Sequence, residues 1–182
     1  MKKNIILAAL LLVALFTGTS CKKDHNPPVH FDTPATPPPS GFEEGTYANG
    51  FQNLLELYDV YTGKIIGPAF KSGKVFTFTA DGKNAEFYYT AETQYMQAAT
   101  KAIGTIAFDE GSTATEGSFV FYAAWAHYNG YGTTTVNRDA TEEELTNNLT
   151  GRYAYKMDGQ WLRISPGEPP VDPYASSFEL IH

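Results

Sequence analysis

One stretch of the chain, residues 119–132, gathers side chains whose chemistry suits ligand binding. It reads Phe-Val-Phe-Tyr-Ala-Ala-Trp-Ala-His-Tyr-Asn-Gly-Tyr-Gly. Aromatic rings with a polar edge stack on sugar rings and other flat ligands and orient them through hydrogen bonds. We expect a pocket mouth where the aromatic residues meet the glycines. The candidate ligand-binding residues are Trp125, His127, Tyr128 and Tyr131, joined by Trp161 from a later strand.

The same stretch also fits a strand that is covered on both sides. Read with a period of two, Phe119, Phe121, Ala123, Trp125 and His127 share one face. The other face is formed by Val120, Tyr122, Ala124, Ala126 and Tyr128. Both faces are apolar or aromatic, so core packing is the alternative interpretation of these residues.

Catalytic motifs are missing from the sequence. It has no His-Glu-x-x-His, no Gly-x-Ser-x-Gly and no phosphate-binding glycine loop. A Ser-His-Asp triad in residues 41–182 would have to use His127, because the other histidine there is the terminal His182. We therefore predict a non-enzymatic protein without catalytic residues, metal or cofactor. A small hydrolase that uses His127 or a carboxylate pair stays as the alternative.

Residues 1–20 have the pattern of a secretory signal peptide. Lys2 and Lys3 precede an apolar run over residues 5–16, and small residues follow at 17–20. The run is too short to span a bilayer, which takes roughly 20 apolar residues. Cys21 comes next and is the only cysteine, so no disulfide can form within the chain.

The sequence Gly18-Thr19-Ser20-Cys21 resembles a bacterial lipobox in the looser form found in Bacteroidota. The resemblance implies cleavage before Cys21 and acylation of its sulfur and of the new amino terminus. Two or more acyl chains give a stable membrane anchor. We expect a lipid-anchored protein of the outer membrane. The sequence Lys22-Lys23-Asp24 is partly similar to the charged signals that send such lipoproteins to the cell surface.

Residues 21–40 predict a lipidated cysteine followed by a proline-rich tether. Six of the eleven prolines lie here, and the segment has too few apolar residues to form a core. We expect a polyproline-type spacer that reaches roughly 3 Å per residue. His25 and His30 fall in this spacer and are expected to be solvated, with no metal between them.

Residues 41–182 have the length of a single domain. Nine lysines and arginines stand against eighteen aspartates and glutamates, and the cations form no stripe. Phosphate contacts need clustered cations, so nucleic acid is excluded as a partner. The partners that remain are the membrane, through the acyl chains, and a small-molecule, glycan or protein ligand.

The domain has the pattern of a mainly β protein. Asp81-Gly82 and Asp158-Gly159 lie between β-branched and aromatic runs, which predicts two hairpins with type I′ turns. The predicted strands cover residues 54–61, 64–70, 74–80, 83–90, 102–109, 118–128, 151–157, 160–164 and 177–181. Residues 91–101 fit either a short helix or a loop.

One short helix is predicted near residues 142–149. Thr141 and Glu144 match a capping box, Leu145 and Leu149 are four apart, and Gly151 supplies a stop. About eight short strands joined by tight turns predict an antiparallel β-barrel with this one helix, with a β-sandwich as the alternative.

Several segments together resemble the small lipocalin-like lipoproteins of Bacteroidota, whose barrels are of the calycin type. These are Gly45-Thr46-Tyr47, residues 76–83, residues 104–108 and Trp161-Leu162-Arg163-Ile164. The resemblance implies a barrel with a ligand cavity and no reaction. The preferred hypothesis is a non-catalytic binding or accessory lipoprotein. The alternatives are the small hydrolase and a structural subunit of an envelope assembly.

Overall fold

The computed structural model describes residues 31–58, 65–92 and 96–181, with side chains from 31–50, 72–92 and 96–181. The predicted signal peptide, Cys21, His25 and His30 lie outside these residues. The strands are β1 (Gly45–Tyr58), β2 (Ile65–Phe78), β3 (Lys83–Glu92), β4 (Gln97–Phe108), β5 (Glu116–Tyr131), β6 (Val136–Asp139), β7 (Gly151–Asp158), β8 (Trp161–Pro166) and β9 (Ser176–Ile181). The single described helix, α1 (Glu142–Glu144), continues as a π-helical turn over Leu145–Leu149.

Eight of the strands form a closed antiparallel barrel. The ring runs β1-β2-β3-β4-β5-β7-β8-β9, and β9 pairs back onto β1 between Thr46 and Ile181. Strand β6 lies outside the ring and pairs with the last residues of β5. The predicted fold class, a mainly β barrel of about eight strands with one short helix, is confirmed. The sandwich alternative is wrong, because the first and last strands meet.

The barrel has two different ends. At the end that we call the base, β1 begins at Gly45 and short connections join β2 to β3, β4 to β5 and β7 to β8. At the other end, the mouth, the first five strands rise above the shorter β7, β8 and β9. Strand β6 and the helix stand beside this taller wall.

Both predicted Asp-Gly hairpins are present, but with other turns. Type I′ needs positive φ at both central residues, but the central residues of the first turn are Ala80 and Asp81, and positive φ occurs only after them, at Gly82 (φ 70°) and Asn84 (φ 54°). Gly82 N donates to Thr79 O (3.2 Å), and Asp81 Oδ1 accepts from Lys83 N (2.9 Å). In the second hairpin Asp158 pairs with Trp161, so Gly159 (φ 64°) is the first central residue, as in a type II′ turn.

Three other expectations are corrected. Of residues 91–101, the first two belong to β3 and residues 97–101 belong to β4, so the described part of this range is mainly strand, and residues 93–95 lie outside the described residues. The predicted strands 64–70 and 74–80 are one strand, β2. Strand β6 was not predicted, because its short polar sequence becomes a strand only through pairing with β5. The turn predicted at Thr62-Gly63 lies outside the described residues.

Aromatic rings fill the base of the barrel. Phe78 and Phe119 meet edge to face with ring centroids 5.3 Å apart, and Phe76 and Phe119 meet similarly at 5.9 Å. Such arrangements place a ring's positive edge on a neighbour's negative face. The large, fully buried side chains are Tyr47, Phe76, Phe119, Phe121, Tyr155, Leu162 and Phe178. The interior of the barrel at the base is therefore a packed core.

Strand β5 contains a β-bulge at Ala124. Gly104 pairs with Ala123, whereas its neighbour Ile103 pairs with Trp125, which leaves Ala124 without a partner on β4. A bulge shifts the alternation of side chains by one residue. The residues of β5 that pack in the core are Phe119, Phe121 and Ala123 before the bulge and Ala126 and Tyr128 after it. The period-two grouping of Trp125 and His127 with Phe119 is therefore wrong.

The last part of the predicted tether is bound to the barrel. Thr36 N donates to Ile106 O (3.0 Å), Phe108 N donates to Thr36 Oγ1 (2.7 Å), and Thr105 Oγ1 donates to Pro34 O (2.6 Å). We call residues 33–39 the N-terminal strap. An extended proline-rich segment makes no internal hydrogen bonds, so its carbonyls can pair with a strand edge. The folded body thus begins before the boundary predicted at Gly41.

The capping box predicted for α1 is present. Thr141 Oγ1 accepts from Glu144 N (3.3 Å), and a Glu144 carboxylate oxygen accepts from Thr141 N (2.9 Å). Leu149 is buried in the core and Leu145 packs against it. The helix therefore lies against the barrel on the side where β5 continues beyond β7.

Candidate functional site

The cavities at the mouth of the barrel include an inner cavity and a helix-side cavity. The inner cavity, of 270 Å³, lies above the aromatic core and between β2, β3, β7, β8 and β9. The helix-side cavity, of 480 Å³, lies between the β4–β5–β6 wall and α1. Ligand sites of small molecules commonly measure about 300–1,000 Å³. The helix-side cavity lies within this range and the inner cavity just below it, and both are candidate sites by their position at the mouth.

The floor of the inner cavity is aromatic. Its apolar lining consists of core side chains, namely Phe76, Phe87, Tyr153, Ile164 and Phe178. Burial raises the pKa of the Tyr153 phenol above its ordinary value, so this hydroxyl is neutral at neutral pH. The rim carries polar groups that include Ser176 and Asp172, and Tyr174 stands there 94% exposed. An apolar body can rest on this floor while a polar group reaches the rim.

Lys74 is the cation of the inner cavity. It lies two residues before Phe76 on β2, so both side chains point to the same face. It also borders a neighbouring cavity of 280 Å³, where it meets its strand partners Asn49 and Tyr89. Among the carboxylates that the structure describes, none forms an ion pair with Lys74. A half-buried lysine placed in this way suits an anionic ligand group.

The helix-side cavity brings together two of the predicted residues, Tyr128 and Tyr131. Tyr131 is 52% exposed, and Met96 beside it is 49% exposed. Gly130 lies where a Cβ atom would come within 2.6 Å of Gln97 O, so glycine allows β4 and β5 to approach closely at this point. The glycine-rich end of the predicted stretch therefore does border a pocket.

Arg138 organises the helix-side cavity. Its two terminal nitrogens donate to the two carboxylate oxygens of Glu144 at 2.8 and 2.7 Å, a bidentate geometry. Its guanidinium carbon stands 5.3 Å from the ring centroid of Tyr128, a cation–π contact. The pKa of Tyr128 is raised, first by burial and then by Glu144, while Arg138 acts in the opposite direction. The pair links β6 to the first turn of the helix.

The pH dependence of this link is a testable consequence. Hydrogen bonding from Arg138, followed by the backbone hydrogen bond from Thr141, lowers the pKa of Glu144 from 4.5 to about 2. The folded-state pKa is below the unfolded value, so the stabilisation is complete above pH 4.5 and is lost as pH falls through 2. We expect NMR titration of the Glu144 carboxyl to give a midpoint near 2, and Arg138→Gln to move it toward 4.5. A midpoint near 4.5 in the unmodified protein would show that the link does not form.

The structure places His127 and Trp125 outside both cavities. They follow the bulge on the outer face of β5, and their rings stack with centroids 6.3 Å apart. His127 is only 8% exposed. Its Nδ1 lies 2.8 Å from an Asp139 carboxylate oxygen and its Nε2 lies 2.7 Å from Asn137 Oδ1. With both ring nitrogens engaged, His127 fastens β6 to β5.

Trp161 does not join the other candidates. It begins β8 at the base, directly after the second hairpin turn, and is 40% exposed. Tyr128 and Tyr131 lie at the mouth, so the five predicted residues occupy three separate places. Neither cavity lining includes Trp161.

Sequence reasoning missed three residues of the cavities: Lys74, Met96 and Arg138. Lys74 could have been found, because a lysine between Gly73 and Val75 shares a strand face with Phe76 and Phe78. Arg138 and Met96 carried no such signal. Only the pairing of β6 with β5 brings Arg138 beside Tyr128, and only the pairing of β4 with β5 brings Met96 beside Gly132.

The described residues contain no group of three or more His, Cys, Asp or Glu side chains that could hold a metal ion. In the same part of the chain, no helix has the length and apolar character needed to cross a membrane. The fold and its cavities define a closed eight-stranded antiparallel barrel consistent with the lipocalin-like fold. Comparison of the chain with family models, with curated proteins and with solved structures finds no match.

Proposed function

We propose that this protein is a non-catalytic binding protein of the cell envelope, whose ligand is a small molecule held in the inner cavity. The observation that carries this proposal is Lys74, a cation without a described carboxylate partner above an aromatic floor. The ligand has a flat or branched apolar body and one acidic group. The body packs on Phe87, Tyr153 and Phe178, and the acidic group pairs with the Lys74 ammonium.

The energetics favour this division of roles. Burying apolar surface supplies affinity at about 25 cal/mol per Å². A hydrogen bond to a charged group contributes about 1.5–3 kcal/mol and fixes the ligand's orientation. Lys74 loses part of its hydration in the half-buried position, so a ligand carboxylate restores a favourable partner.

The position of the cavity agrees with anchoring through Cys21. The N-terminal strap and Phe42 enter the barrel at its base, whereas the inner cavity faces the mouth. A lipid on Cys21 would hold the base toward the outer membrane and leave the mouth directed away from it. Together with the lipobox resemblance, this supports the proposal of a Bacteroidota lipoprotein that captures ligands outside the membrane.

The small hydrolase has less support. A catalytic His127 would have to present a ring nitrogen to a substrate, yet its nitrogens contact Asp139 and Asn137. A glycosidase needs two carboxylates that flank one bond. The described lining of each mouth cavity has one, Asp172 in the inner cavity and Glu144 in the helix-side cavity.

The test is a thermal-shift screen with small aromatic and aliphatic carboxylates, each paired with its uncharged amide. We expect one or more carboxylates to raise the Tm of the purified protein while the matching amides do not. Lys74→Met keeps the apolar stem and removes the charge, and it should weaken binding of the carboxylate about tenfold to a hundredfold.

Lys83→Met is the matched control, because Lys83 is an exposed lysine in the base hairpin. It should leave the affinity unchanged. Equal responses to carboxylates and amides, or equal affinity in the Lys74→Met protein, would exclude Lys74 as the ligand's partner.

A further inference from the structure

We propose that the helix-side cavity is a second, separate site, and that it binds a neutral carbohydrate chain. This inference does not depend on the inner cavity, because the two linings share no residue. It rests on three observations: an exposed stacking surface, a balanced pair of charges, and a lining of side chains that both donate and accept hydrogen bonds.

The stacking surface is formed by Tyr131 and Met96. Both are about half exposed although they are large and apolar, and both line the same cavity. The C–H-rich face of a pyranose ring packs on such a surface, and the tyrosine hydroxyl stays in water. Because this surface is exposed at the mouth, a carbohydrate chain can continue past it on both sides. The inner cavity, in contrast, ends at its aromatic floor.

The charges of the described lining cancel. Arg138 is the one cationic side chain of the described lining and Glu144 is the one anionic side chain. The two form an ion pair with each other. Because each charge is already neutralised by the other, the described lining offers no unpaired charge to an anionic or a cationic ligand. A neutral ligand can bind beside the intact pair, since the Arg138 side chain is 51% exposed.

Six further residues of the lining are polar. They are Gln97, Thr100, Asn129, Thr133, Thr134 and Asn148. Amides and hydroxyls both donate and accept hydrogen bonds, as sugar hydroxyls do. A flat hydrocarbon ligand would leave these groups without partners, which is costly for any that become buried. The combination therefore selects a polyhydroxylated ring over an apolar one.

The experiment measures binding of the full-length protein, purified in detergent, to defined oligosaccharides by calorimetry. The probes are six-unit oligomers of glucose, xylose, mannose and galactose, with oligogalacturonate as the anionic arm. We expect at least one neutral oligomer to bind and oligogalacturonate to bind more weakly. Tyr131→Ala should weaken binding about tenfold, whereas Tyr131→Phe, which keeps the ring, should bind like the unmodified protein.

Tyr174→Ala is the matched control. Tyr174 is also an exposed tyrosine at the mouth, but it stands on the rim of the inner cavity. It should leave oligosaccharide binding unchanged. Neutral oligomers that all fail to bind, a preference for oligogalacturonate, or undiminished binding by Tyr131→Ala would each overturn the proposal. Carboxylate binding at Lys74 is measured separately, so either proposal can fail alone.

Discussion

Replacing Phe42 by alanine is expected to lower the free energy of unfolding by about 3–5 kcal/mol, the usual cost of removing a buried phenylalanine ring. Phe42 is buried at the base, where its ring centroid lies 5.1 Å from that of Phe78 and 5.5 Å from that of Tyr155. The walls here belong to separate strands of a closed barrel, so they cannot collapse fully into the space that the ring leaves. Urea unfolding followed by tyrosine and tryptophan fluorescence measures the loss.

Two further variants make this result interpretable. Glu44→Ala changes an exposed neighbour and should alter stability by less than about 0.5 kcal/mol. Phe42→Leu keeps much of the apolar volume, so its loss of unfolding free energy should lie between those of Glu44→Ala and Phe42→Ala. If Phe42→Ala were as stable as Glu44→Ala, residue 42 would belong to the tether and the base would be closed without it.

Gly104→Ala is the second change with a large expected effect. A Cβ atom at this position would lie 1.8 Å from Tyr122 O and 3.1 Å from Ala123 Cα, both of them backbone atoms of β5. Backbone cannot rotate away as a side chain can, so β4 and β5 must separate at the bulge. We expect a loss of about 3 kcal/mol, because overpacking a well-packed core costs about 1–3 kcal/mol and the clash here is with backbone. For a domain of this size that corresponds to about 10 °C in Tm.

Gly151→Ala provides the matched control for Gly104→Ala. Gly151 also lies in a strand, at the start of β7, but an added Cβ there meets only the Tyr153 ring at 3.5 Å. Gly151→Ala should leave the stability nearly unchanged. Alanine reduces the conformational freedom of the unfolded chain, which favours a small gain in stability. Equal Tm values for both variants would show that the approach of β4 to Tyr122 is not tight.

The bulge also explains why the site was only partly predictable. Alternation of apolar residues along β5 is visible in the sequence, but the extra residue at Ala124 is not. It moves Trp125 and His127 to the outer face and brings Tyr128 inward, toward Arg138. Tyr128 therefore lines a cavity, whereas Trp125 and His127 lie on the outer face.

The local sequence determined what depends on neighbours along the chain. Asp-Gly pairs between β-branched runs marked two hairpins, and Thr141 with Glu144 marked the start of the only described helix. These features rest on positive φ at glycine and on capping hydrogen bonds, which involve residues two to four positions apart. Strand content and the barrel class followed from the same short-range signals.

The tertiary structure decided whatever depends on pairing between distant segments. Closure of β9 onto β1, attachment of the strap to β4, and the contact of Arg138 with both Tyr128 and Glu144 join residues that no local pattern relates. Such contacts form between strand edges and cavity walls that exist only once the barrel has closed. For that reason the sequence predicted the barrel class, while Lys74 and the helix-side cavity emerged only from the folded barrel.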